Sequence, residues 1–187
     1  MELKAFVTNL GKYNEGVLCG EWKTFPIDEE EFEKEVLPSI GVDGENYEEW
    51  FISDYECDID GVSEYLGEFP SLDDLNNVAD SLDNWDEDYA QAVVDVYCFD
   101  YIINYTQDDF LFVNAETDED IGEYYINETE MAADIPEWLT NYIDYEAYGR
   151  DVRFDSDGGF SNNGYFVERI WIKGRNKGAK APLFFFI

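Results

Sequence analysis

Alternating apolar and polar positions open the chain and predict a β-hairpin. The segment LKAFVTN alternates in polarity, LGKYNEG supplies a glycine-containing loop, and VLCGEW forms the returning strand. The next apolar residues, in EEEFEKEVL, have helical spacing; Asp28 can cap this helix, and its first-turn glutamates suit the helix dipole. The segment EEWFISDYE then predicts another strand. We therefore expect residues 1–65 to form an N-terminal α/β segment.

The middle of the chain has a helical pattern. Apolar residues from Leu72 to Leu82 recur at helical spacing, and Ser71 followed three positions later by Asp74 matches a capping box. A second helix is predicted over about residues 86–103, with its aliphatic and tyrosine side chains inward. Residues 66–105 are thus expected to be a helical, acidic segment.

The remaining pattern is mixed and predicts a third segment, residues 106–170. It begins with the apolar run FLFV, includes a helix over about Pro136 to Tyr148 with proline in its first turn, and ends in a hairpin around Asn163-Gly164. The expected fold is therefore α+β, an elongated chain of three small segments followed by a basic tail at residues 171–187.

The net charge distinguishes this chain from an ordinary α+β protein, because it indicates a surface that exposes many carboxylates. The 187 residues contain 45 acidic and only 11 basic residues, a formal charge of -34, and from Glu35 to Gly149 there are 33 carboxylates and no lysine or arginine. A hydrophobic content of 45%, with 18% aromatic residues, is enough to bury a core, so the charge belongs to a folded surface. Such a surface repels nucleic acid and anionic lipid and attracts basic partners.

Composition also excludes several function classes. The chain has no histidine, which rules out histidine-dependent triads and zinc-protease motifs. Its three cysteines form no CxxC, so we expect neither a disulfide framework nor a zinc site, and free thiols in a reducing cytoplasm fit best. No apolar run is long enough for a signal or a membrane span. We expect a cytoplasmic protein that is not an enzyme and carries no cofactor or metal.

One segment partly matches a calcium loop. In ECDIDGVSEYLGE, Glu56, Asp58, Asp60 and Gly61 fit the first half of the EF-hand pattern, but Gly67 occupies the position where a bidentate glutamate belongs. A turn with solvated carboxylates is the better interpretation.

The amount of charge corresponds to a stretch of duplex DNA. B-form DNA carries one phosphate per about 1.7 Å of axis, so 34 charges correspond to roughly 58 Å, or about seventeen base pairs. Halophilic adaptation also produces acidic, lysine-poor surfaces, although the content of Phe, Tyr and Ile makes it the weaker explanation.

Specific segments resemble the ArdA-type antirestriction proteins. These are FVTNLGKYNEG followed by GEW, then FISDYE, and later IPEWLTNYIDYEAYGRDVRF, and the likeness runs from about Lys4 to Phe166. The resemblance implies a three-part α/β chain that forms elongated dimers, imitates bent B-DNA and occupies the DNA-binding groove of type I restriction-modification enzymes. Such proteins are carried by conjugative elements and phages. The basic end, KGRNKGAKAPLFFFI, lies outside the resemblance.

The hypothesis to be tested is thus an inhibitor that competes with DNA for the methyltransferase core of a type I enzyme. An acidic chaperone of basic proteins is the alternative, and an acidic metal-binding or catalytic domain is a third. The candidate phosphate-mimicking residues are Asp43, Glu45, Glu48, Glu49, Asp54, Asp73, Asp74, Asp80, Asp83, Asp86, Glu87, Asp88, Asp108, Asp109, Asp118, Glu119 and Asp120. The candidate interface of a homodimer consists of Trp138, Tyr142, Tyr145 and Tyr148.

Overall fold

The computed structural model describes residues 1–128 and 135–170. The chain divides into two compact units: the first combines Met1–Ala90 with Cys98–Tyr105, and the second combines Gln91–Tyr97 with the chain from Thr106 onward. Each unit contains one three-stranded antiparallel sheet together with helices, so the fold is mixed α+β as predicted. The three-segment arrangement stays a prediction.

The sheet of the first unit is built around a buried central strand. Strands β1 (Leu3–Asn9), β2 (Gly20–Phe25) and β3 (Trp50–Cys57) have the order β2-β1-β3. Leu3, Ala5 and Val7 of β1 are fully buried. They alternate along the central strand, which has β2 and β3 on its two sides, and their side chains point to the face that is covered by the core. The predicted antiparallel pairing of the first two strands is confirmed. Their connection contains a short helix, α1 (Leu10–Asn14), which begins where the Asn9 side chain accepts the backbone N–H of Lys12.

The first unit's remaining helices include both predicted caps. Helix α2 (Glu29–Glu31) continues through a π-helical stretch, Phe32–Val36, into α3 (Leu37–Ser39), and Asp28 caps it. Helix α4 (Val62–Leu66) is followed by α5 (Leu72–Leu82), which has the predicted capping box.

The prediction of one helix over residues 86–103 is wrong. Helix α6 (Glu87–Val96) ends, and a separate α7 (Asp100–Asn104) follows. Between them Phe99 is buried, with its ring 5.3 Å from that of Tyr65. Tertiary packing of this ring accompanies the break between the two helices, where periodicity alone indicates one continuous helix.

The second unit has its own sheet and core. Strands β4 (Phe110–Asn114), β5 (Gly159–Phe160) and β6 (Tyr165–Arg169) have the order β4-β6-β5, and the hairpin around Gly164, at φ +87°, is confirmed. A positive φ favours glycine at this turn. The core comprises Val113, Ala115, Ile121, Tyr125, Val152 and Phe166.

Helices cover this second sheet. Helix α8 (Asp118–Glu123) runs into a π-helical stretch, Tyr124–Glu128, and α9 (Tyr145–Asp155) packs against α8. Their backbones approach so closely that a Cβ on Gly149 would overlap the Asp118 carbonyl oxygen.

The predicted helix from Pro136 to Tyr148 is also wrong. A 3-10 helix, Glu137–Tyr142, ends first, and Asp144 caps α9 by accepting the backbone N–H of Ala147 at 3.0 Å. Pro136 lies at the cap of the 3-10 helix instead of inside a longer α-helix. The local hydrogen bond of Asp144 starts a new helix, which the apolar spacing alone did not reveal.

Candidate partner-binding surface

Helix α5 separates an apolar face from an acidic one. Leu75, Val78 and Leu82 are buried, whereas Asp73 and Asp80 are exposed. Asp73, Asp74, Asp80 and Asp83 are spread over about 15 Å of helix axis, a mean interval of about 5 Å, although Asp74 is also in the capping box and Asp83 lies near the N-terminal amine. A single strand of B-DNA carries one phosphate per about 3.4 Å of axis. The mean spacing of charges along α5 is therefore wider than the phosphate spacing of one DNA strand but of the same order.

The predicted carboxylates fall into two groups according to their contacts. All are exposed except Asp109, Asp118 and Asp120, which are half-buried. Within residues 1–128 and 135–170, eight of them make no side-chain hydrogen bond or ion pair, and we name these the display set: Glu45, Glu48, Glu49, Asp73, Asp80, Glu87, Asp108 and Glu119. Others have structural partners, which decide how the display set is positioned.

Asp43 organises the acidic loop before β3. Its carboxylate accepts the backbone N–H groups of Tyr47, Glu45 and Asn46 at 3.1, 3.0 and 2.8 Å. These hydrogen bonds, with that of Tyr47 foremost, hold the pKa of the Asp43 carboxyl well below its usual range. The turn they close presents Glu45 and Glu48 to solvent.

Three further carboxylates close capping boxes. Asp74 accepts the backbone N–H of Ser71 at 3.0 Å, and Asp109 accepts that of Thr106 at 2.9 Å, ahead of a 3-10 turn at Gln107–Asp109.

Asp120 closes the third box. It accepts the Thr117 hydroxyl and the backbone N–H groups of Thr117 and Glu116, and these bonds, that of the hydroxyl foremost, lower the pKa of the Asp120 carboxyl. These three carboxylates hold helix starts in place.

Asp118 forms the main internal ion pair of the second unit. Arg153 on α9 donates from Nε to Oδ1 at 2.6 Å and from Nη2 to Oδ2 at 3.1 Å. This forked hydrogen bonding lowers the pKa of the Asp118 carboxyl and raises that of the Arg153 guanidinium. The pair connects α8 to α9, and it engages Arg153, one of the few basic residues of the chain.

Other cations of the described chain are also engaged away from the display set. Lys4 contacts Glu2 and Glu56, Lys23 contacts Glu21, and Lys34 contacts Glu30. The N-terminal amine lies 3.8 Å from Asp83, and Arg169 lies 3.7 Å from Asp157. Lys12 points instead at the Tyr47 ring and the Cys19 sulfur. Because these cations contact other groups within the chain, the carboxylates of the display set remain accessible to cations of another molecule.

The structure also adds carboxylates that the prediction omitted. Five exposed carboxylates make no side-chain hydrogen bond or ion pair with the residues the structure describes: Glu29, Glu33 and Glu35 along the α2–α3 helix, and Asp151 and Asp155 on α9. Their signal was present in the sequence, since they occupy polar positions of amphipathic helices. The prediction omitted them because it selected carboxylates where acidic residues are most closely spaced in the sequence.

The predicted aromatic interface is split by the fold. Trp138 and Tyr142 are 69% and 81% exposed, respectively. Tyr145 is half-buried, and Tyr148 packs against the core of the second unit, where burial raises the pKa of its hydroxyl. The first two side chains are thus the ones available to a second molecule. The predicted basic tail at residues 171–187 lies outside the described residues.

The region of the incomplete calcium loop contains a cavity. A space of about 430 Å³ beside β3 and α4 is lined by residues that include Ile52, Tyr55, Cys57 and Ile59. Among the described residues, no group of three or more carboxylate or thiol side chains is arranged to hold a metal ion. The cavity therefore offers no built cation site.

The sequence was compared with models of known protein families and with curated proteins. The family model for the antirestriction protein (ArdA) matches residues 5–167, which is most of the chain. No curated protein matches the sequence. Within the described part of the chain, no helix is both long and apolar enough to cross a bilayer.

Proposed function

We propose that this chain, which belongs to the ArdA family of antirestriction proteins, inhibits type I restriction-modification enzymes by occupying their DNA-binding groove with its carboxylates. Members of this family are inhibitors and not enzymes, so the chain has no catalytic centre to identify.

The display set is the observation that supports this proposal most strongly. Buried or paired carboxylates can be explained by the fold itself, but eight exposed and unpaired ones cost the folded state self-repulsion. In a DNA-binding groove the same carboxylates would meet the lysines and arginines that normally contact phosphates. Their unpaired state is then the functional state.

The geometry of α5 supports imitation of DNA over attraction to basic proteins in general. Its carboxylates have a mean spacing of about 5 Å, of the same order as the phosphate spacing of a DNA strand, and lie on a helix whose apolar side is buried. A rigid row of charges can match a groove that recognises a regular phosphate backbone. A chaperone of basic proteins does not require a particular spacing of carboxylates.

A homodimer extends the same logic. We propose that two copies associate through Trp138 and Tyr142, the exposed aromatic side chains of the predicted interface. One copy carries charge for only about seventeen base pairs, so a dimer doubles the length of DNA that can be imitated. The site of action is proposed to be the cytoplasm, where restriction enzymes meet incoming DNA.

A competition experiment tests the proposed function. A purified, complete type I restriction-modification enzyme is titrated with the protein at two salt concentrations, with a labelled DNA target as competitor, and both methylation and restriction are followed. We expect mutually exclusive binding of DNA and inhibitor, loss of both activities, and weaker inhibition at the higher salt concentration. A complex that holds DNA and inhibitor together in the groove would contradict the proposal.

A variant with several carboxylates neutralised together tests whether the free energy of binding is distributed over many residues. Neutralising four α5–α6 positions (Asp73→Asn, Asp80→Asn, Asp83→Asn, Glu87→Gln) should weaken binding by about 2 kcal/mol, roughly thirtyfold, if exposed pairs each contribute up to about 1 kcal/mol. Each single change should matter little. If one neutralisation alone abolished binding, a small specific site would replace the distributed surface.

Titration with a second ligand distinguishes the acidic-chaperone alternative from the DNA mimic. A basic protein without a DNA-binding groove is titrated with the same variants in the same buffers. Equal affinity for that protein and for the methyltransferase would favour the chaperone, whereas a clear preference for the methyltransferase supports the DNA mimic.

A further inference from the structure

Three aromatic rings of the first unit form a row that reaches the surface. The ring centroid of Phe51, on β3, lies 5.0 Å from that of Tyr13, on α1, and 5.9 Å from that of Phe69. Phe51 is buried, whereas Tyr13 and Phe69 are 51% and 66% exposed. Because both exposed rings rest on the same buried ring, they belong to one surface, and we name these three residues the aromatic row.

The backbone fixes the aromatic row in place. Phe51 lies opposite Thr8 on the central strand β1, close to the start of α1. The next residue of β3, Ile52, donates its backbone N–H to the carbonyl oxygen of Glu68 at 2.8 Å, which holds the chain at Phe69 against the strand. The backbone that carries the rings is therefore ordered before any partner arrives, so binding to the row requires little further ordering.

Exposed carboxylates border the aromatic row. Three exposed glutamates lie within two positions of one of its rings: Glu15, Glu49 and Glu68. Glu49 and Glu68 make no side-chain hydrogen bond or ion pair with residues 1–128 and 135–170, and Glu15 accepts the hydroxyl of Tyr47 at 3.0 Å. The surface is therefore both aromatic and anionic.

The charge of this surface determines which partner it fits. The glutamates repel nucleic acid and anionic lipid, and they disfavour a second copy of a chain whose formal charge is -34. A cationic group is attracted both to the carboxylates and to the negative faces of the rings. Arginine fits better than lysine, because its planar, weakly hydrated guanidinium stacks on a ring, whereas the ammonium of lysine is strongly hydrated.

The second unit contains the same combination of groups around an arginine of its own. The guanidinium of Arg153 lies 4.7 Å from the ring centroid of Phe154 and 5.8 Å from that of Phe160. The same guanidinium donates two hydrogen bonds to Asp118. Aromatic faces and a carboxylate thus hold a guanidinium together in this chain. The aromatic row and its glutamates offer the same two kinds of group in the first unit, whose sequence contains no arginine.

We propose that the aromatic row is a binding site for an arginine side chain of the partner enzyme. Tyr13 and Phe69 contact the face of the guanidinium, and the bordering glutamates accept its N–H groups. This inference rests on the proposed function, because a groove that binds DNA supplies the arginines. Stacking on a ring depends less on ionic strength than an exposed ion pair does, so this site retains affinity where salt screens the display set.

The first test compares arginine with lysine. Fluorescently labelled oligoarginine and oligolysine of equal length are titrated with the full chain at moderate salt, and fluorescence anisotropy reports binding. The row variant Tyr13→Leu/Phe69→Leu keeps the net charge and the apolar side chains but removes both exposed ring faces. If each ring contributes a factor of about two to five, this variant should bind oligoarginine roughly four- to twenty-five-fold more weakly. Its affinity for oligolysine should be nearly unchanged.

A matched control and a single substitution accompany the row variant. The control Trp22→Leu/Tyr65→Leu removes two exposed rings of the same unit that lie outside the row, and should leave both affinities nearly unchanged. Circular dichroism checks that each variant is folded. Should the row variant unfold, Phe69→Leu alone, at the more exposed ring, should still weaken oligoarginine binding by a factor of about two to five. Equal losses for the two peptides, or equal losses in the row and control variants, would overturn the proposal.

The second test locates the contact directly. The phenylalanine rings are labelled with ¹³C, and the resonances of Phe69 and Phe154 are assigned by their loss in Phe69→Leu and Phe154→Leu. Oligoarginine should shift the Phe69 resonances over the same concentrations as in the anisotropy titration, and should leave those of Phe154 in place. Unshifted Phe69 resonances would contradict the proposal. Sedimentation of the row variant should match that of the wild type, since a shift toward the monomer would show that a second copy covers the row instead.

The peptide titrations contain no restriction enzyme and no DNA. Their failure would therefore overturn the arginine site and leave the proposed function standing. A failure of the wild type to inhibit the restriction enzyme, together with the expected peptide results, would instead overturn the proposed function and leave a site for an arginine of another basic partner. With both results as expected, the row variant should inhibit the enzyme less well than the control variant does, and equal inhibition would overturn the use of this site in the groove.

Discussion

Neighbouring carboxylates of the second unit should differ in how much they contribute to stability. Asp108 and Glu119 belong to the display set, whereas the adjacent Asp109 and Asp120 close capping boxes. The display variant Asp108→Ala/Glu119→Ala and the capping variant Asp109→Ala/Asp120→Ala remove the same charge from the same elements. Each variant is therefore the matched control of the other.

The expected magnitude follows from the contacts. Asp109 accepts two hydrogen bonds from Thr106, and Asp120 accepts three from Thr117 and Glu116. Loss of a cap costs about 1 kcal/mol, so the capping variant should lose about 2 kcal/mol, or roughly 4–8 °C of melting temperature for a chain of this size. The display variant loses no side-chain hydrogen bond and relieves repulsion, but it also loses a first-turn carboxylate of α8 that suits the helix dipole, so its stability should change little in either direction.

Thermal and urea unfolding followed by circular dichroism measure both variants at neutral pH and moderate salt. Binding to the methyltransferase is titrated in parallel and should weaken only slightly in either variant, because exposed charge pairs contribute about 0 to 1 kcal/mol each. Equal destabilisation of the two variants would refute the division between structural and displayed carboxylates. Strong destabilisation of the display variant alone would refute it as well.

Four other expectations concern stability and assembly. Asp118→Asn should lower the melting temperature at pH 7, since a forked charge-assisted bond to Arg153 contributes about 1–3 kcal/mol; because the folded-state pKa of Asp118 is depressed, this difference should be fully present above about pH 4 and shrink as pH falls further, and a pH-independent difference would contradict it. Added NaCl should raise the melting temperature of the wild type by screening self-repulsion, so a flat or falling melting point between low and moderate salt would count against this. Gly149→Ala should cost about 1–3 kcal/mol or more in urea unfolding because the added Cβ overlaps the Asp118 carbonyl oxygen, and an unchanged midpoint would show that α9 shifts freely. Trp138→Ser/Tyr142→Ser should shift sedimentation toward the monomer without changing the circular dichroism spectrum, while an unchanged distribution would place the interface elsewhere.

Short-range features were readable from the sequence because their partners lie a few positions apart. Asp28, the Ser71 and Asp74 pair, and the hairpin at Asn163-Gly164 each depend on hydrogen bonds or φ angles within one turn of chain. The same holds for the acidic character of the surface, since net charge requires no knowledge of the fold. The family resemblance stated from quoted segments is confirmed by the match over residues 5–167.

The breaks in the predicted helices were not readable in this way. The helix over residues 86–103 ends early because Phe99 is buried against Tyr65, thirty-four positions earlier, and no local signal announces that contact. The predicted helix from Pro136 is interrupted at Ile143 because Asp144 starts a new one. Asp144 has a local signal, but apolar periodicity outweighed it in the prediction.

Sequence alone determined how much charge the protein displays, and tertiary structure decided which carboxylates are left to display it. Asp118 and Glu119 are adjacent and chemically equivalent, yet one is bound by Arg153, thirty-five positions away, and the other faces solvent. The order β2-β1-β3 and the packing of α8 on α9 likewise depend on partners distant in the chain. Charge is a sum over residues and survives any arrangement, whereas pairing depends on distances that only the folded backbone sets.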